Sequence, residues 1–195
     1  MFLNEGYSVL LPDSRAHGES GGKFVTYGLL EKYDVIAWAN WMQRAGCRKL
    51  YALGESLGAA VLIQAAAVRP IFSAIVAESP YADLREVGEY RIAATSRIPP
   101  IAVRVIVGGA LLYAAWVYHL DLRRVSPVDS IARATTPILL IHGLADNLTP
   151  PYNSVRLAHA NPRDPLWLVP KALHTEASLA EPKEFRKRVL NWFAR

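Results

Sequence analysis

Ser56 sits inside Gly54-Glu55-Ser56-Leu57-Gly58, a G-x-S-x-G spacing. A serine hydroxyl is a poor nucleophile until a neighbouring base takes its proton. The flanks suit that chemistry. An apolar run at residues 50–53 predicts a strand before Ser56, and the alanine- and leucine-rich residues 56–68 predict a helix after it. Together they make a nucleophile elbow, a strand-to-helix turn that exposes the serine hydroxyl. Gly54 and Gly58 leave room where larger side chains would collide. The helix N-terminus stabilises developing negative charge, and the backbone N–H of Leu57 is one oxyanion-hole donor.

A base and a group that orients it are expected further along the chain, in the order serine, acid, histidine. Asp146 lies in Ile141-His142-Gly143-Leu144-Ala145-Asp146-Asn147, after the apolar run at residues 137–141. His174 lies in Val169-Pro170-Lys171-Ala172-Leu173-His174, after the run at residues 166–169. Both fall where an open α/β sheet places its sites, beyond the carboxyl ends of strands. Asp146 would fix the His174 tautomer and stabilise the imidazolium, and His174 would relay the proton. His142 reads as a residue that shapes its loop by hydrogen bonding. Asp83 is an alternative acid but reads better as the lead-in to an inserted segment. The dense polar run Asp13-Ser14-Arg15-Ala16-His17-Gly18-Glu19-Ser20 reads as a loop held by Asp–Arg pairing and backbone bonds.

The elements that must position these groups alternate. Strands are expected at residues 7–11, 50–53, 74–77, 137–141 and 166–169. Helices are expected at 28–44, 56–68, 152–160 and 182–194. The first helix carries Leu29, Tyr33, Ile36, Ala37 and Trp41 on one stripe. Near-continuously apolar strands alternating with helices predict a mostly parallel sheet of about five strands covered on both faces, an α/β fold. Residues 85–134 break the rhythm. They include sixteen residues, Val105 to Leu120, without Lys, Arg, Asp or Glu. That is short of the roughly 18 to 20 that a membrane span needs. One reading is an apolar helix packed on the rest of the protein; the other, taken as the expectation, is a helical lid insertion over a pocket in a single domain spanning 1–195, which leaves room for contact with a membrane surface but not for crossing it.

Composition excludes other classes. The chain is 52% hydrophobic and 20% charged, so it is not a disordered chain. One cysteine, Cys47, excludes an internal disulfide framework and a cysteine-based zinc cage. A net charge of +5 without basic runs interleaved with aromatics argues against nucleic-acid binding. No charged-then-apolar leader opens the sequence, and the expected location is cytoplasmic.

These motifs resemble the α/β-hydrolase superfamily, in particular its serine aminopeptidase-like and esterase-like branch. Residues 7–20 are similar to the family's strand and D-x-R-x-H-G-x-S loop, and residues 54–58 to its elbow. His142-Gly143 through Asp146 resembles the acid loop, and Leu173-His174 the histidine loop. The resemblance covers nearly the whole chain apart from the lid. It implies a triad of Ser56, Asp146 and His174 and no metal or organic cofactor.

It also implies further strands before residue 7, with a His-Gly-rich turn that supplies a second oxyanion donor. The first twelve residues hold no such turn. The sequence therefore reads as N-terminally truncated relative to the family, with a weakened oxyanion hole. The expected function is hydrolysis of a carboxylic ester, thioester or amide through an acyl-enzyme. An impaired fragment serving as an interaction module is one alternative, and a serine aminopeptidase-like peptidase is another. Ile106, Leu111, Leu112, Trp116 and Val117 in the lid favour a small hydrophobic acyl substrate.

Overall fold

A computed structural model describes residues 1–195. Its centre is a parallel sheet of four strands: β1 (Tyr51–Glu55), β2 (Ala74–Glu78), β3 (Ile138–Gly143) and β4 (Leu166–Val169), in the order β1-β2-β3-β4. The register aligns Leu53 with Val76, Val76 with Leu139, and Leu140 with Leu166. Successive side chains of a strand point to opposite faces, and here both faces are covered. Ile75, Ala77, Ile138 and Leu140 face a layer built from α1 (Glu31–Arg44), α2 (Leu57–Val68), α5 (Pro127–Ile131) and α6 (Tyr152–Ala160). Ala74, Val76, Leu139 and Ile141 face the other layer, α7 (Ala177–Ala180) and α8 (Pro182–Phe193), through Phe185, Val189, Trp192 and Phe193. The Trp192 indole N–H also donates to the Ile75 carbonyl at 2.9 Å, which fixes α8 across the sheet.

The helices start and stop for local reasons. Asp83 caps α3 (Leu84–Thr95) by accepting from the Glu86 N–H. Ser126 caps α5 in the same way, with Pro127 in its first turn. Arg69 is extended ahead of Pro70 and ends α2. α4 (Pro100–Val117) has mean hydropathy 1.8 over 18 residues. It is long and apolar enough by composition to cross a membrane. Only Val103, Val107 and Leu111 are buried along it, and Trp116 is 83% exposed.

Two sequence expectations need correction. The first concerns α1, whose inward face is Glu31, Val35 and Ala39, with Ile36 and Trp38 partly covered, while Tyr33, Ala37 and Trp41 face out. The apolar stripe misled because Glu31, which reads as polar, is buried by accepting from Thr26 and Gly28.

The second concerns residues 7–11, which are not a strand, so the sheet has four strands rather than about five. A strand exists by pairing, and β1 is bonded to β2 alone. A cleft of about 380 Å³ separates residues 7–11 from β1, with Ser8, Val9 and Leu11 on one wall and Lys49, Tyr51 and Leu53 on the other. Tyr7 holds the segment by its ring, 5.9 Å from Tyr51 and 6.4 Å from Phe193. The apolar run beyond it is open to solvent, with Leu11 89% exposed.

Candidate active site

Ser56 joins β1 to α2 with φ 51° and ψ −114°. A side-chain-bearing residue rarely adopts this region, and it persists only where the surroundings impose it. Here the Ser56 N–H donates to the Glu78 carbonyl at 2.8 Å, and the Ser56 carbonyl accepts from Ala60 at 3.1 Å. The turn is tight because Gly54 lies against Gly58: a Cβ on Gly54 would stand 2.7 Å from the Gly58 carbonyl carbon. A Cβ on Gly58 would meet nothing within 4 Å. Only the first of the two glycines is therefore forced by sterics, a correction to the reading of the motif. Leu57 is in the first turn of α2, where backbone N–H groups have no intrahelical acceptor.

Asp146 and His174 reach Ser56 from loops after β3 and β4. Those loops meet because Gly143 has no side chain: a Cβ there would stand 2.3 Å from the Ala172 carbonyl oxygen. The Leu144 N–H donates to Val169 at 2.9 Å and the Ala145 N–H to Ala172 at 3.0 Å. The three side chains then form one chain of hydrogen bonds. His174 Nδ1–H donates to Asp146 Oδ2 at 2.7 Å, which leaves Nε2 bare to accept the Ser56 hydroxyl at 2.8 Å. The structure thus brings together Ser56, His174 and Asp146, 118 residues apart at the widest.

Asp146 is 4% exposed. Burial pushes its carboxyl up, but hydrogen bonds from His142, His174 and the Thr149 N–H outweigh this and hold it well below the usual 3.8. Asp146 Oδ1 accepts from Leu148 at 2.9 Å and Thr149 at 2.8 Å. His142 is fully buried, and its ring sits in a fixed sense. Nε2–H donates to the Thr149 carbonyl at 2.6 Å and lies 3.1 Å from Asp146 Oδ2, so Nδ1 accepts from the Ser154 hydroxyl at 2.6 Å. A loop-shaping role for His142 is legible in the sequence, but its contact with the Asp146 carboxylate is not. The signal available was its spacing of four residues from Asp146.

Other candidates lie elsewhere. Asp83 is a helix cap, as described above. In the residue 13–20 loop, Arg15 pairs in bidentate fashion with Asp34 of α1 at 2.6 and 2.7 Å, rather than with Asp13. Asp13 instead accepts from the Glu19 N–H at 3.0 Å. No group of three His, Cys, Asp or Glu is arranged to hold a metal ion.

Two further features border the site. A cleft of about 400 Å³ on the free-edge side of β1 is lined by Gly54, Leu57 and Gly58 together with Leu10, Val35 and Trp38. On the other side the Tyr90 hydroxyl of α3 donates to the Asn147 carbonyl at 3.1 Å, so the segment after β2 touches the Asp146 loop.

Comparison with known proteins adds the following. A family model described as the prolyl oligopeptidase family matches residues 1–194. The uncharacterized protein YqkD of Bacillus subtilis is 30% identical over 195 residues, covering 97% of this chain and 63% of its own length. Rv2307c of Mycobacterium tuberculosis is 29% identical over 178 residues, covering 90% of this chain and 56% of its own. The chain thus spans about three-fifths of the length of these curated relatives. Among solved structures, the esterase Pf2001 of Pyrococcus furiosus superposes with a TM-score of 0.76 at 27% identity, covering 100% of this chain and 73% of that one. An E-2-(acetamidomethylene)succinate hydrolase shares the fold at 20% identity, with a TM-score of 0.63.

Proposed function

The chain belongs to the prolyl oligopeptidase family and has the α/β-hydrolase fold, and on that premise we propose that it is a serine hydrolase that cleaves carboxylic esters of apolar acids. The observation that carries this is the continuous hydrogen-bond chain from Ser56 through His174 to Asp146.

Ser56 Oγ attacks the ester carbonyl while His174 Nε2 takes the hydroxyl proton. The carbonyl π pair moves onto oxygen, where the Leu57 N–H at the start of α2 donates to it. The tetrahedral adduct collapses, the alkoxide leaves with the proton from His174, and the acyl group stays on Ser56. Water, deprotonated by His174, then releases the acid and restores the serine. Asp146 keeps the His174 proton on Nδ1 and stabilises the imidazolium in both halves.

Esters are favoured over peptides by the likeness to an esterase and by the lack of an acidic cluster near the motifs that would receive a free amino terminus. Of the expected lid at residues 85–134, α3 and α4 serve as the lid, tied to the site by the Tyr90–Asn147 bond, whereas α5 is buried in the core layer and does not belong to it. α4 turns an apolar face outward, with Ile101, Val105, Leu112 and Trp116 exposed. From Tyr90 to Leu120 the chain has Arg91, Arg97 and Arg104 and no acidic residue. An apolar face flanked by cations fits the surface of an anionic bilayer.

Turnover of short-chain p-nitrophenyl esters, set against an aminoacyl anilide, tests the reaction. Ester hydrolysis lost in Ser56→Ala supports it, and hydrolysis of the anilide alone would favour the peptidase reading. Flotation with phosphatidylglycerol vesicles but not phosphatidylcholine vesicles, weakened in Trp116→Ala, tests the lid. Equal recovery with both vesicle types would remove the role of charge.

A further inference from the structure

We propose that Glu78 is a positioning residue, which pins the segment carrying His174 against the turn that presents Ser56. The inference rests on the serine-hydrolase reading and adds to it a residue outside the three-member relay.

Glu78 ends β2 and is fully buried. Its backbone carbonyl accepts the Ser56 N–H at 2.8 Å. Its side-chain Oε1 accepts the Ala177 N–H at 2.9 Å, three residues beyond His174. One residue therefore holds the nucleophile's backbone on one side and the histidine segment on the other. The next residue repeats the pattern. The Ser79 N–H donates to Ile141 at 2.9 Å, on the strand that leads to Asp146, and Ser79 Oγ accepts from the Thr175 N–H at 3.4 Å. Ser56, Ser79 and Thr175 all have left-handed φ, at 51°, 51° and 58°. Three strained residues meeting at one junction need surroundings that over-determine them.

Packing alone does not ask for a carboxyl here. Oε2 has no hydrogen-bond partner. Burial pushes the Glu78 carboxyl up, only partly offset by the bond from Ala177. An apolar side chain would avoid that desolvation. What the apolar side chain lacks is an acceptor for Ala177. Without it the start of α7 is free to shift, and His174 moves with it. A displacement of about 1 Å at a reacting group costs on the order of 100-fold in rate.

The test compares Glu78→Gln, Glu78→Asp and Glu78→Leu for ester kcat and KM, for the pH profile, and for amide exchange at Ala177. Gln keeps an acceptor at the Oε1 position for the Ala177 N–H. It should retain kcat, KM, the acid limb of the profile and slow exchange at Ala177. Leu fills the space without an acceptor and should lose about 10- to 100-fold in kcat with KM little changed. Asp, one methylene short, should fall between, and it tests the idea should the Leu variant fail to fold. Wild-type kcat in the Leu or Asp variant would overturn the proposal, as would a Gln variant as impaired as the Leu variant. If the wild-type chain neither turns over esters nor takes a fluorophosphonate at Ser56, the hydrolase reading fails. Ala177 exchange and the downfield Nδ1 proton of His174 then still decide whether Glu78 holds the segment: both unmoved in the Leu variant overturns it, both lost supports it.

Discussion

The two flanks of Ser56 are built differently. On the side of β2, β3 and β4, the residues near the serine are tied to one another by hydrogen bonds. Asp146 takes bonds from His142, His174, Leu148 and Thr149, and Glu78 takes bonds from Ser56 and Ala177. On the side of the free β1 edge, residues 7–11 stand across an open cleft, and Leu11 lies in solvent. The half of the site that holds the Ser56–His174–Asp146 hydrogen bonds is thus preorganised by loops that Gly143 allows to touch. The half beside Leu57 rests on the first turn of one helix. The contrast teaches that strand ends give precise placement where the loops leaving neighbouring strands are bonded to each other, as the β3 and β4 loops are through Leu144–Val169 and Ala145–Ala172.

The largest effect should come from breaking the relay on the ordered flank. Asp146→Asn cannot accept the Nδ1–H as a charge and favours the wrong tautomer. Ester kcat should drop by about 10⁴, by analogy with other serine hydrolases that use the same relay, and single-turnover acylation would read it. Next in size is core packing on that flank. Leu140→Ala should cost about 2–5 kcal/mol of stability in denaturant unfolding, because Leu140 is fully buried between β2 and β4.

A pH effect follows from the depressed Asp146 carboxyl. A folded-state value below the usual 3.8 contributes stability that is present above that value and is lost as pH falls through the folded one. Asp146→Asn should therefore be less stable than wild type at neutral pH, with the gap closing as pH falls below about 4. Thermal melts across that range check it. The smallest effect belongs to the open flank. Leu11→Ser should change stability by no more than about 0.5 kcal/mol, measured beside Leu140→Ala. A loss comparable to that of the core variant would erase the contrast between the flanks.

Much of the ordered flank was legible in the sequence. Asp146 and His174 follow apolar runs in the expected chain order, so their strand-end placement could be read locally. Glu78 could not be read in this way, because its partner Ala177 is 99 residues away and nothing near Ala74–Glu78 marks an acceptor. Residues 7–11 show the reverse failure. Their apolar pattern is local and reads as a strand, but strand formation depends on a neighbour, and β1 does not pair with them. In α1 the same limit appears in miniature. The buried face is set by Glu31 and its donors at Thr26 and Gly28, which a hydrophobic stripe does not register.

The central claim is that Ser56 is a nucleophile activated through His174 by Asp146. A fluorophosphonate probe tests it most directly, with the labelled peptide identified by mass spectrometry in the wild-type chain, in Ser56→Ala and in Asp146→Asn. The account predicts a single adduct on Ser56, none in Ser56→Ala, and strongly slowed labelling in Asp146→Asn. An adduct on another residue, labelling that survives Ser56→Ala, or an unchanged rate in Asp146→Asn would contradict it.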